Sequence, residues 1–95
     1  MSAYCIANVD VTDPVAYENY RSRTLATVEK YGGRFIVRGG KAEAKEGSWT
    51  PHRVVVLEFP DVATANRWYH SPDYQAIIGF RTASARSDVV IVEGV

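Results

Sequence analysis

The sequence predicts an α+β domain, a four-stranded antiparallel sheet with its helices on one face. Three observations lead there. Apolar, β-branched runs and capped helical segments follow one another as strand, helix, strand, strand, helix, strand. The strands are apolar at both parities, the pattern of a sheet covered on both faces. A chain of 95 residues is one domain, spanning 1–95. Surface scaling lets such a chain bury about 64% of what it exposes unfolded, enough for one modest core.

Tyr4 to Val11 is short, β-branched and apolar, and reads as the first strand. Thr12-Asp13-Pro14 starts a helix: Pro14 suits the first turn, and Asp13, pushed out of helical geometry by that proline, caps free N–H groups. Tyr17, Tyr20 or Arg21, Thr24, Val28 and Tyr31 recur at helical spacing, so this helix runs to about Tyr31. Gly32-Gly33 stops it. Arg34 to Arg38 is the second strand, closed by Gly39-Gly40, and the polar stretch Lys41 to Pro51 is a connection with room for a short extra strand. Arg53 to Phe59 is the most strand-like stretch and ends at Pro60. A second helix opens at Asp61 and passes Trp68 and Tyr69. Ser71-Pro72-Asp73 interrupts it, Tyr74 to about Ala85 resumes as helix, and Asp88 to Glu93 is the fourth strand. Two interlocked units of this kind give the strand order 4-1-3-2 with the helices on one face, the ferredoxin-like βαββαβ plait.

Helices on one face leave the other bare. Val54 and Val56 oppose Val55 and Leu57, and Val90 and Val92 oppose Val89 and Ile91, so both faces need cover. The sheet of a second, identical subunit is the economical cover; the alternative is the 41–51 loop folded across the face.

Composition excludes several classes. Eleven basic and eleven acidic residues give zero formal charge, which removes the long-range attraction behind nucleic-acid or anionic-membrane binding. The longest aliphatic runs, Val54–Leu57 and Val89–Val92, are far short of the roughly 20 residues that span a bilayer. No basic segment precedes an apolar run at the start of the chain, so a cytoplasmic location is expected. Cys5 is the one cysteine and has no internal partner; buried packing is its expected role. Gly32-Gly33 and Gly39-Gly40 are turns, because neither lies between a strand and a helix start as a phosphate loop does.

The topology also places side chains. The ends of strands one and two and the starts of strands three and four share one sheet edge, where the first helix begins and the last ends. Asn8, Asp10, Tyr17, Tyr20, Arg38, Arg53, Tyr74 and Arg81 therefore gather at one end of the cleft between sheet and helices. Arginines beside tyrosine hydroxyls suit a small carboxylate, because guanidinium presents paired donors that match two oxygens. The candidate ligand-binding set is Asn8, Tyr17, Tyr20, Arg38, Arg53, Tyr74 and Arg81. The competing reading pairs Arg53 and Arg81 with Glu46, Glu58 or Asp73, assigns the aromatic rings to the core, and gives Asn8 a neighbouring hydrogen bond. His52 and His70 lie on different elements with no metal-ligand spacing and no serine in register, so neither a metal nor a tightly bound cofactor is expected.

Several segments are also familiar jointly: Asp13-Pro-x-x-Tyr17-x-x-Tyr20, Tyr31-Gly-Gly-Arg34, Val37-Arg-Gly-Gly40, Glu46-Gly-x-Trp49-x-Pro-x-Arg53 with the apolar run to Phe59, Ala65-x-x-Trp68-Tyr-x-Ser-x-x-Tyr74, and Arg81. With them nearly the whole chain resembles the domain-of-unknown-function 1330 family of the dimeric α/β-barrel superfamily. The resemblance implies the plait and a back-to-back sheet dimer. It implies no reaction, because that superfamily includes monooxygenases, muconolactone isomerase-like enzymes, haem-dependent peroxidases and stress-response domains without known catalysis. The expected function is binding or converting a small carboxylate-bearing or aromatic metabolite in the sheet–helix cleft of a homodimer. The alternative is a non-catalytic dimeric structural or interaction module.

Overall fold

A computed structural model describes residues 1–95 and shows seven elements: β1 (Ala3–Val11), α1 (Pro14–Lys30), β2 (Arg34–Arg38), β3 (Arg53–Phe59), α2 (Val62–His70), α3 (Pro72–Ser84) and β4 (Ala85–Glu93). All four strands are antiparallel in the order β2-β3-β1-β4, the ferredoxin-like order expected, read from the other edge.

The helix ends follow from local chemistry. Asp13 caps α1 by accepting the Ala16 amide at 3.1 Å, with Pro14 in the first turn. At its far end Gly32 takes φ +78°, and the amides of Gly32 and Gly33 donate to the carbonyls of Glu29 and Val28, each at 3.0 Å. This paired closure needs a left-handed residue, the conformation glycine adopts without steric cost. Asp61 caps α2 through the Thr64 amide. Ser71 serves two helices at once: its hydroxyl donates to the Trp68 carbonyl at 2.7 Å, ending α2, and accepts the Tyr74 amide at 3.1 Å, starting α3.

The structure departs from the sequence reading at three places. The fourth strand begins at Ala85 rather than Asp88. Ala85 pairs with Val11, and the Thr12 and Asp13 amides both donate to the Ser84 carbonyl, so pairing with β1 overrides the weak strand propensity of Ala-Arg-Ser. The 39–52 connection contains no strand. In β2, the register slips between Phe35 and Val37, a bulge that leaves Ile36 unpaired.

The pleat sorts side chains onto two faces. Ala3, Cys5 and Val9 of β1 and Leu57 and Phe59 of β3 are buried toward the helices, against Val28, Trp68, Tyr74 and Ile77. The opposite face carries Ile6, Ile36, Val37, Val90 and Val92, which remain between 36% and 55% exposed. No part of the chain covers them. The total accessible surface is 5928 Å², above the roughly 5,500 Å² expected for a folded monomer of this mass.

Because Ser71 joins two helices and is buried, Ser71→Ala removes a cap and leaves the Tyr74 amide unsatisfied. It should lower stability by about 1–2 kcal/mol in urea titration, with an unchanged dependence on urea concentration.

Candidate functional site

Between the sheet and helices α1, α2 and α3 lies a cleft of about 510 Å³ that opens to solvent. The space within it that the centre of a water molecule can occupy is about 40 Å³. A void of that size holds one small polar head group, since one water needs roughly 10–15 Å³ on this measure. Anything larger must extend into the open part.

Helix α1 contributes Tyr17, Tyr20 and, at the rim, Arg21; these fall on one stripe because they lie three and four residues apart. Helix α3 contributes Tyr74 and, two turns on, Arg81. The Tyr20 and Tyr74 hydroxyls meet at 2.7 Å, joining residues 54 apart in the chain. Tyr74 packs on Trp68 with ring centres 4.1 Å apart, and the Trp68 indole N–H donates to Thr27 on α1. The aromatic wall is thus fixed by three helices together.

Strand β3 contributes Arg53, whose guanidinium lies 5.7 Å from the Tyr17 ring centre and packs against Gly39. Gly39 has φ +71°, and a methyl group there would occupy the guanidinium's place. Arg38 reaches the cleft through the β2 bulge. Simple alternation from Arg34 would put it on the open face, but the extra residue pairs it with Val55, a cleft-side position, and its guanidinium stacks on Phe35 at 4.4 Å.

Six of the seven candidates therefore line one cleft: Tyr17, Tyr20, Arg38, Arg53, Tyr74 and Arg81. Asn8 does not. It pairs with Val54 and Asp88 and points to the open face, because it alternates with the cleft-side Ala7 and Val9. Its placement at the correct sheet edge concealed the wrong parity. Asp10 follows Asn8 onto that face, where it meets His52 at 3.3 Å. Phe35, Thr24 and Val89 line the cleft without having been singled out. The α1 stripe identified Thr24; nothing local identified Phe35, whose role comes from the Arg38 stacked on it.

The ion pairs form elsewhere than the competing reading required. Glu58 binds Arg34, Asp73 binds Lys30, and Glu43 binds Lys45. Arg81 is only 6% exposed, stacks 5.8 Å from the Tyr20 ring centre, and its Nε has no hydrogen-bond partner. The Arg53 Nε is likewise buried and unpartnered. No aspartate, glutamate or histidine lines the cleft.

Burial raises both phenols above the usual tyrosine range; at Tyr74 the Tyr20 hydroxyl and the neighbouring Arg81 charge offset part of the effect. Burial likewise pushes the Cys5 thiol up to about 11, with the Arg81 charge acting weakly in the opposite direction. No three His, Cys, Asp or Glu side chains converge anywhere in the structure, and no helix is long and apolar enough to cross a membrane.

Fold and cleft together define a ferredoxin-like α+β protein whose sheet–helix cavity is walled by aromatic rings and by guanidinium groups with no carboxylate among the lining residues. The chain belongs to the family of the domain of unknown function DUF1330, whose sequence profile matches residues 2–95. Among solved structures it is similar to a protein of unknown function from Rhodopseudomonas palustris, with TM-score 0.80 and 19% identity over 99% of this chain and 82% of that one. It is also similar to SnoaB, a cofactor-independent oxygenase from Streptomyces nogalater, with TM-score 0.69 and 15% identity over 99% and 93% of the two chains. A dimeric ferredoxin-like protein of unknown function from Jannaschia sp. CCS1 matches with TM-score 0.67 and 18% identity over 99% and 100%. No curated protein matches the chain. These likenesses are of fold and assign the cleft no reaction.

The raised Cys5 thiol has a pH signature. In the folded chain it ionises near 11 rather than at its ordinary 9.0, so the unfolded chain releases its proton first as pH rises. Stability is retained in full below about pH 9 and falls toward pH 11, by on the order of 2–3 kcal/mol from this group, with the raised tyrosines acting in the same direction. Urea titrations across that range should show the decline, and Cys5→Ser should reduce it.

Proposed function

We propose that this protein binds a small carboxylate-bearing or aromatic metabolite in the sheet–helix cleft, and that it does so as a homodimer joined through the open sheet face. The observation that carries the ligand reading is Arg81, buried with no carboxylate beside it and with an unpartnered Nε, in the wall of a cavity that contains no negative side chain. A charge taken out of water is costly unless something pairs with it. A bound anion supplies the missing pair, and Arg53, Arg38 and the tyrosine hydroxyls give it further donors. Where the ligand is converted rather than only held, the tyrosine hydroxyls are the proton donors and the arginines hold developing negative charge.

The test is native mass spectrometry of gently purified protein. The expected species is a dimer with a reproducible extra mass, and Arg81→Gln should lose that mass or weaken the ligand at least tenfold, about the worth of one charged hydrogen bond. A second reading, a non-catalytic dimeric module, rests on how little space the cleft leaves for water-sized groups, about 40 Å³. It predicts a clean dimer that no small carboxylate or aromatic compound stabilises against heat.

The homodimer rests on the five exposed aliphatic side chains of the open face, a contiguous apolar surface of the kind a second copy covers. Val90 is the most exposed of them at 55%, so Val90→Asp is harmless to the lone fold and places a charge in the interface. In sedimentation equilibrium the parent should run at twice its 10.6 kDa chain mass and the variant at the single mass, with unchanged circular dichroism.

A further inference from the structure

We propose that the cleft takes a flat aryl carboxylate that arrives already ionised, its carboxylate seated inward against Arg81, Arg53 and the Tyr20–Tyr74 hydroxyl pair. The inference rests on the ligand reading above and narrows it to one class.

The first ground is a count of protons. Tyr20 and Tyr74 bring one phenolic proton each, and their single mutual hydrogen bond uses one of the two. Whichever oxygen donates, one phenolic O–H remains free. Arg81 and Arg53 add two unpartnered Nε–H donors, and a guanidinium never accepts. Beside the neutral lone pairs left on the two phenol oxygens, what these side chains hold in excess is donors, and the only formal charge among them is positive. A carboxylate, with two oxygens and about four acceptor sites, satisfies three such donors. A neutral amide fits less well, because it has one uncharged acceptor oxygen and its NH₂ group adds two donors to a set already rich in them.

The second ground is the lack of a base. Each element of the wall can be checked in turn. Strand β1 offers only the Cys5 thiol, which stays protonated at neutral pH. Helix α1 offers its two tyrosines and Arg21, which is occupied by Glu18 outside the cleft. Strands β2 and β3 offer Arg38 and Arg53, and α3 offers Tyr74 and Arg81. Neither α2 nor β4 adds a charged side chain. Burial holds Tyr20 and Tyr74 protonated at neutral pH, and with no carboxylate or imidazole in the wall, no lining group is an evident base for a ligand's proton. The ligand must carry its negative charge in.

The third ground is shape. The space open to water-sized groups, about 40 Å³, is small, and the cleft is walled largely by apolar side chains and rings, Tyr17, Trp68, Leu57 and Val89 among them. Ring faces and aliphatic side chains at that spacing favour a planar apolar body over a polar chain.

The test titrates isotope-labelled protein with benzoate, benzamide and acetate and follows the resonances of Tyr20, Trp68 and Tyr74. Benzoate should shift all three and bind at least about tenfold tighter than either other probe. Its affinity should stay level from about pH 6 to about pH 9, where neither it nor any cleft group changes charge. Tyr20→Phe, which keeps the ring but takes away the Tyr74 hydroxyl's partner and so lowers thermal stability, and Arg53→Gln, at a half-buried position, should each weaken benzoate about three- to tenfold, Arg53→Gln with little change in thermal unfolding. Benzamide binding in the cleft as tightly as benzoate overturns the charge assignment, and acetate doing so overturns the aryl assignment, while the ligand reading survives both results. Should no probe shift the cleft resonances, the ligand reading falls and this inference with it.

Discussion

The contact between the Tyr20 and Tyr74 hydroxyls ties together most of what the cleft is. It is buried, it links α1 to α3 across 54 residues of chain, and it lies where Arg81 approaches both rings. In a low-dielectric interior each hydroxyl needs a partner, so two phenols that find each other fix the spacing of the helices that carry them. Trp68 wedges against Tyr74 from α2 and bonds back to α1 through Thr27, so the third helix is held by the same group of rings. The roof over the sheet is therefore an aromatic assembly with polar ends, and the cavity is the space its polar ends keep open.

Beneath that roof the sheet does two unrelated jobs because of its pleat. Residues of one parity bury themselves under the helices, and those of the other present aliphatic side chains to the outside. Charges follow the same division. The carboxylates that could have neutralised Arg53 and Arg81 are absent from the cleft: Glu58 faces outward and holds Arg34, while Asp73 leans over the α1 terminus to Lys30. The net-neutral chain thus keeps a local excess of positive charge inside.

Much of this was legible in the sequence, and what was not has definite physical causes. Helix limits were readable because Asp13, Gly32, Asp61 and Ser71 act within four residues of themselves. The start of β4 was not, since Ala85 to Ser87 are strand only because β1 is beside them. Edge position identified the cleft tyrosines and arginines, but it could not decide parity, and Asn8 was misplaced for that reason. Whether the arginines would find carboxylates was equally hidden. Glu46, Glu58 and Asp73 were all within plausible reach along the chain, and only the folded arrangement directs Glu58 and Asp73 to other cations.

The bulge in β2 gives one backbone irregularity authority over two surfaces. With Ile36 inserted, a guanidinium belongs to the cavity and two adjacent aliphatic residues belong to the outer face. Were all five residues of this strand paired regularly, without the bulge, alternation would return Arg38 to the outer face and turn Val37 inward. The charge of the internal compartment and the greasiness of the external surface are therefore set by a single peptide unit. A strand of the same length paired without the bulge would change the charge of the cleft and the apolar surface of the open face at the same time, with every other strand unchanged.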